Sequence, residues 1–228
     1  MNQRLILFQG DSLTDAGRSR STMDKNISLG NGYVTMIAGE LGFRYPQIDV
    51  LNRGVAGDRI ADTYGRWQED TLNVHYDMLS FMSGINDVGF AIRLGRGSDA
   101  GRFEFIYDRM IYEGAESHPD AKIVLCQPFV LKKDLTGTGY ATEWENDIYR
   151  NYDLWSGEMR RRGDIVQKIA EKYHAIYVPF WDALSKAQTR MGVERLTVDC
   201  IHMTAVGDHI LAKTWLDIVG PYIGENWL

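Results

Sequence analysis

Three side chains suited to acyl transfer stand at opposite ends of the 228-residue chain. Ser12 lies in "LFQGDSLTDAGR" (7–18). Asp199 and His202, three positions apart, lie in "TVDCIHMTAVGDH" (197–209). A hydroxyl attacks an ester carbonyl slowly unless a base takes its proton. Imidazole titrates near neutral pH, so His202 is the candidate base, and it can return the proton to the leaving alcohol. Asp199 is the candidate partner for the second ring nitrogen, orienting the ring and stabilising the imidazolium. The tetrahedral intermediate needs donors for its oxyanion. The backbone N–H groups of Ser12 and Gly57 and the side-chain amide of Asn86 are the candidates. Glycine at 57 is expected because a Cβ would obstruct a substrate approaching the backbone there.

Taken singly, each motif has an ordinary reading. Gly-Asp-Ser and Gly-Ile-Asn-Asp suit turns and helix caps, and Asp-x-x-His suits a capping acid with a surface histidine. Their order along the chain and their position at strand exits carry the chemical reading. Gly10 is expected to end a strand, Asp11 to accept backbone hydrogen bonds that fix the turn, and Asp15 to brace the loop.

The elements that must position these residues are visible as short apolar runs: "LILF" (5–8), "IDVLN" (48–52), "MLSFMSG" (78–84), "KIVLCQP" (122–128) and "AIYVPF" (175–180). Continuous apolarity predicts strands buried on both faces, as in a parallel sheet. Helical periodicity falls between them. In 33–42 it groups Val34, Ile37, Ala38 and Leu41, with Gly42 as the expected stop. In 99–117 it groups Phe103, Ile106, Met110, Ile111 and Ala115, and near the end Val206, Ile210, Leu211, Trp215, Ile218 and Val219. The alternation predicts an α/β fold, helices on both sides of a parallel sheet, in a single domain spanning 1–228. Ligands of such sheets meet the carboxyl ends of the strands, where all five candidate segments emerge. The stretch 127–145 lacks clean periodicity and is expected to be a lid or binding loop.

The net charge of -6 argues against a broad nucleic-acid or anionic-membrane surface. No apolar run approaches a membrane span. The N-terminal "LILF" is too short for a signal peptide's apolar region, so a cytoplasmic location is expected. Cys126 and Cys200 form no CxxC pair, which argues against a disulfide framework or a zinc knuckle. The five histidines are scattered with no HExxH or HxH pair, which argues against a zinc hydrolase. Two carboxylates in "GDSLTD" would repel phosphate, against a flavodoxin-like nucleotide binder.

The blocks "GDSLTD" (10–15), "NRGVAGDR" (52–59), "GIND" (84–87) and "DCIH" (199–202), in that order, resemble the SGNH hydrolase family, also called the GDSL esterases. The resemblance implies a flavodoxin-like three-layer α/β/α sandwich around a parallel sheet of about five strands. It implies Ser12, Gly57, Asn86 and His202 as the name-giving residues, with Asp199 completing the triad and no sharp GxSxG elbow at Ser12. Met203 follows His202 where many members have proline, a change expected to alter the loop or pocket edge rather than the chemistry.

Within the family, "GDSLTDAGR", "LGNGYVTMIAGEL", "GRWQEDTL" and "SGINDVG" resemble the bacterial acetylxylan esterases and related carbohydrate deacetylases. That resemblance implies removal of acetyl groups from xylan fragments or other sugars, without metal or cofactor, by proteins that are often oligomeric. A homo-oligomer is therefore among the expected partners. Trp67, Phe129, Tyr140 and Trp144, in or near rim loops, are the aromatic candidates for stacking on a sugar, with Asp11 as a polar contact. An intracellular location would suit imported, partly acetylated oligosaccharides. The alternatives are a short-chain lipase or thioesterase-type acylhydrolase using the same triad, and a non-catalytic binding module. Intact Ser12, Asp199 and His202 argue against the module.

Overall fold

The five apolar runs are the five strands of one sheet in a computed structural model, which describes residues 3–21, 24, 27–133, 142–223 and 227. They are β1 (Arg4–Gly10), β2 (Ile48–Asn52), β3 (Met78–Met82), β4 (Lys122–Cys126) and β5 (Ile176–Val178). All pairings are parallel and the order is β2-β1-β3-β4-β5. Leu7 sits opposite Leu51 on one side and Leu79 on the other. Alternate strand residues feed separate cores. Ile6, Phe8, Met78, Met82 and Val124 point to one face, and Leu7, Leu79, Phe81, Ile123 and Leu125 to the other. This explains the apolar runs of β1, β3 and β4, which are buried on both faces, whereas the edge strand β2 leaves Asp49 exposed.

The helices are α1 (Ser12–Asp15), α2 (Tyr33–Arg44), α3 (Ile60–Gly65), α4 (Ile85–Leu94), α5 (Ala100–Ser117), α6 (Glu143–Arg150), α7 (Tyr152–Lys172), α8 (Phe180–Met191) and α9 (Ala205–Ile223). The first face is covered by α2, α8 and α9, and the second by α3, α5 and the C-terminal half of α7. The result is the α/β/α sandwich of the SGNH type. Among the described residues, no helix is long and apolar enough to cross a membrane.

Two expectations change. Gly42 does not stop α2, which runs on to Arg44 and closes with Tyr45 N–H on Leu41 O at 2.7 Å. The stop is Pro46: the residue before a proline is pushed out of the helical region, and Tyr45 has φ -136° and ψ 82°. The 127–145 stretch is not all loop. Phe129, Val130 and Leu131 are buried in the first core. Thr142 opens α6 with a capping box, its Oγ accepting from Glu145 N–H (3.1 Å) while the Glu145 carboxylate accepts from Thr142 N–H (2.8 Å). Residues 134–141 lie outside the described residues.

Candidate active site

The chain leaves β1 through Gly10 and turns at once into the short α1. Asp11 caps that helix, its carboxylate accepting from Leu13 N–H at 3.1 Å. Ser12 is the first residue of α1, where an amide has no acceptor within its own helix. Asp15 braces the turn: one oxygen accepts from Arg18 N–H (3.0 Å) and the other from Ala56 N–H (2.9 Å) in the loop after β2. Asn52, at the end of β2, donates to Thr14 O (2.6 Å) and Leu29 O (2.8 Å) and accepts from Gly54 N–H (2.9 Å). A Cβ on Gly54 would lie 2.5 Å from Asp15 N, so only glycine lets this loop press against α1.

Asp199 and His202 sit in a tight loop before α9. Thr197 and Met203 pair across its neck, Val198 N–H and Thr197 Oγ–H both donate to His202 O (2.9 and 2.7 Å), and Leu131 N–H donates to Cys200 O (2.9 Å). Buried Leu131 and its neighbours thus hold the loop from below. Asp199 Oδ1 accepts from the N–H groups of Ile201 (3.1 Å) and His202 (2.6 Å). Its Oδ2 lies 2.6 Å from His202 Nδ1, and His202 Nε2 lies 2.9 Å from Ser12 Oγ, 190 residues away in sequence. The hydrogen bond to Asp199 raises the His202 pKa above its ordinary value, against the opposing effect of burial. Burial alone would raise Asp199, but its hydrogen bond with the imidazole and the charge there outweigh it and hold the carboxyl below its usual range. With the proton on Nδ1, the Nε2 lone pair faces the serine hydroxyl, the arrangement that activates a nucleophile.

The third segment follows β3. Asn86 lies in the first turn of α4, and its side-chain amide donates to Asp58 O at 3.0 Å. The adjacent Asp87 is buried and accepts from Ile60 N–H (2.9 Å); burial pushes its carboxyl up to about 6. Arg66 ties the neighbouring segments together, reaching the Asp58 and Asp70 carboxylates (2.6 and 3.0 Å), Gln9 Oε1 (3.0 Å) and Arg53 O (2.9 Å). The 53–59 loop is therefore held from β1, α3 and α4 at once. Gly57 lies on it with φ +87°. A Cβ there would meet no protein atom within 4 Å, and the left-handed backbone by itself favours glycine at this position.

Two small pockets flank the Ser12–His202 pair. One, of about 170 Å³, is walled by Asn86, Thr142, Trp144, Asp199 and Ile201. The other, of about 210 Å³, is walled by Leu13, Ala16, Asn31, Met203 and Asp208. Trp144 reaches the first pocket because Gly89 lacks a side chain: a Cβ there would sit 2.3 Å from the indole ring. The Arg93 guanidinium covers the indole at 4.6 Å, and Phe90 and Trp155 meet it edge-on, each at 5.7 Å.

The other expected substrate contacts fare differently. Trp67 is 1% exposed and packs against Phe81 in the second core, and Phe129 is fully buried in the first, so neither can touch a substrate. Each packs into a core between the sheet and a helix layer rather than at the rim. Asp11 is 1% exposed and occupied as a helix cap, and burial raises its carboxyl to about 7; it lines neither pocket. Tyr140 lies outside the described residues. Thr142, Ile201, Asn31 and Asp208 went unnoticed in the sequence, where nothing but proximity to a motif marks them. Among the described residues, no three His, Cys, Asp or Glu side chains are grouped to hold a metal ion.

The GDSL-like lipase/acylhydrolase family matches residues 8–210 of the chain. The chain belongs to this family. This GDSL hydrolase is accordingly a carboxylic ester hydrolase acting on ester substrates. It is 30% identical to an acetylxylan esterase of Geobacillus stearothermophilus over 219 residues, covering 94% of this chain and 93% of that protein. Among solved structures, it resembles a protein described as a GDSL-like lipase from Parabacteroides merdae, with TM-score 0.83, 29% identity and 96% of each chain covered. The crystal structure of an acetylxylan esterase from G. stearothermophilus matches with TM-score 0.79 and 27% identity, covering 96% of this chain and 95% of that one.

Proposed function

We propose that this hydrolase removes O-acetyl groups from carbohydrates of the xylo-oligosaccharide type, through a Ser12–His202–Asp199 triad and an acyl-enzyme. The observation that carries the proposal is the unbroken hydrogen-bonded line from Asp199 Oδ2 through the His202 ring to Ser12 Oγ, with spacings of 2.6 and 2.9 Å. In the first half-reaction His202 Nε2 takes the Ser12 proton as Oγ attacks the acetyl carbon. Ser12 N–H, Gly57 N–H and the Asn86 amide receive the oxyanion. The imidazolium then protonates the leaving sugar oxygen, and acetyl-Ser12 remains. In the second half-reaction His202 deprotonates water, which attacks the same carbonyl, and the collapse returns Ser12 and acetate.

Two things support a short acyl group on a sugar. The pocket beside Asn86, about 170 Å³, falls well below the roughly 300–1,000 Å³ of sites for larger ligands. The Geobacillus stearothermophilus matches, by sequence and by structure, are described as acetylxylan esterase. In this reading Trp144 is an apolar wall of the acyl side rather than a stacking platform, since Arg93 already covers it. Cys126 and Cys200 are free and buried, which fits a reducing, cytoplasmic compartment where imported oligosaccharides are the substrate.

The test is a substrate panel on the wild type and Ser12→Ala. Turnover is expected to fall sharply from 4-nitrophenyl acetate to the octanoate, and acetate to be released from acetylated xylo-oligosaccharides. Ser12→Ala should be inactive with an unchanged melting temperature. Equal rates on acetate and octanoate, without release from the oligosaccharides, would favour a broader acylhydrolase. Substantial turnover by Ser12→Ala would remove the serine from its role.

A further inference from the structure

The two pockets beside Ser12 differ in chemistry. The one containing Asn86 is walled by Trp144 and Ile201 and suits a small apolar acyl group. The other sets a carboxylate, Asp208, and a carboxamide, Asn31, above an apolar floor of Leu13, Ala16 and Met203. Asp208 stands in the first turn of α9, two turns of chain beyond His202, and faces the start of α2. Its Oδ1 accepts from Tyr33 N–H at 3.1 Å, and among the described residues the carboxylate receives no other hydrogen bond. The approach is possible because Gly32 has no side chain; a Cβ would sit 2.8 Å from Ala16 Cβ and 3.3 Å from Asp208 Oδ1. Asn31 is exposed, and among the described residues its one hydrogen bond is from its backbone N–H to Ala16 O at 2.9 Å. Met203, the residue that replaces the proline common after the histidine, forms part of this wall, so the departure shapes the second pocket.

An ionised carboxylate only accepts hydrogen bonds, so the group that pairs with it must be a donor. His202 borders both pockets, and the leaving oxygen must lie within its reach. We propose that the Asn31–Met203–Asp208 pocket receives the leaving alcohol and that Asp208 Oδ2 and the Asn31 side chain bind a free hydroxyl adjacent to the ester. The substrates selected are then acetates of polyols, with sugars foremost, rather than acetates of simple alcohols. The inference rests on the carbohydrate reading for its preferred substrate, but the hydroxyl contact stands apart from the identity of the sugar.

The experiment uses matched pairs. One pair is methyl 2-O-acetyl-β-xyloside and its 3-deoxy counterpart. The other is 1-acetylglycerol and propyl acetate. Asp208→Asn keeps the oxygen that receives Tyr33 N–H, and Asn31→Ala touches no structural contact of the side chain, so both are expected to fold; thermal melts check this. Replacing a charged acceptor by a neutral one should lower kcat/KM for the hydroxyl-bearing member by about fivefold, mainly through KM, and the penalty should shrink toward none for its partner lacking the hydroxyl. Asn31→Ala should behave alike with a smaller factor of about threefold. Equal losses on both members of a pair would overturn the inference, because Asp208 would then act only through α2. Wild-type turnover of the glycerol pair with none of the xyloside pair would instead overturn the carbohydrate reading, and the glycerol pair would still decide the hydroxyl contact.

Discussion

Asp199→Asn is the sharpest probe of the proposed Asp199–His202–Ser12 relay. Asp199 Oδ1 already receives two backbone N–H groups, from Ile201 and His202. An asparagine will keep its oxygen there, because the reverse orientation would aim an amide at two donors and cost about 1–3 kcal/mol for each group left unpaired. The amide nitrogen therefore takes the place of Oδ2, 2.6 Å from His202 Nδ1. A donor in that position forces Nδ1 to become the acceptor and moves the ring proton to Nε2. Nε2–H then points at Ser12 Oγ and cannot take its proton. A wrong tautomer of this kind costs roughly 10⁴-fold in kcat in serine hydrolases, which corresponds to about 5 kcal/mol of transition-state stabilisation. The loop keeps both Oδ1 bonds, so the melting temperature should move by no more than a few degrees. Steady-state kinetics with 4-nitrophenyl acetate should show the loss in kcat with KM little changed. A well-folded variant retaining more than a tenth of wild-type kcat would refute the argument that Oδ2 sets the tautomer.

Three further outcomes are expected. Asn86→Ala should lower kcat by roughly 10²–10³-fold with a smaller effect on KM, as for loss of one oxyanion donor; a change confined to KM would mean that the amide only binds substrate. If His202 is the base, as proposed, it must be neutral to act, and the acid limb of kcat/KM should have its midpoint above the ordinary imidazole value of 6.5, because Asp199 raises His202; it should move down in Asp199→Ala, and a wild-type limb at or below 6.5 would contradict this. The same raised pKa means that the stability contributed by protonated His202 is full below its unfolded value and is lost as pH rises through the folded value, so activity and this contribution run in opposite directions. Gly89→Ala should destabilise the fold by about 1–3 kcal/mol and disturb acyl-chain selectivity, since its Cβ would invade the Trp144 ring; a variant as stable as wild type would show that the indole has room to move.

Much of this was legible without coordinates. Apolar runs at 5–8, 78–82 and 123–126 announce strands buried on both faces because the hydrophobic requirement on a strand is local. Ser12, Asp199 and His202 are readable because their chemistry resides in the side chain itself. The helix stop was misread at Gly42 when Pro46, four residues on, was the steric cause.

What the tertiary structure decided is depth and direction. Trp67 just after α3 and Phe129 just after β4 both turn into the core beneath the helix layers, and the sequence around them does not say which way either side chain will face. The φ of Gly57, the Arg66 ties that hold its loop, and the meeting of Asn31 with Asp208 across 177 positions of chain all depend on segments distant in sequence. Local sequence specifies which groups can react, since reactivity belongs to a residue. Which of them meet is fixed by how layers pack, since contact belongs to pairs of residues that the chain order does not record.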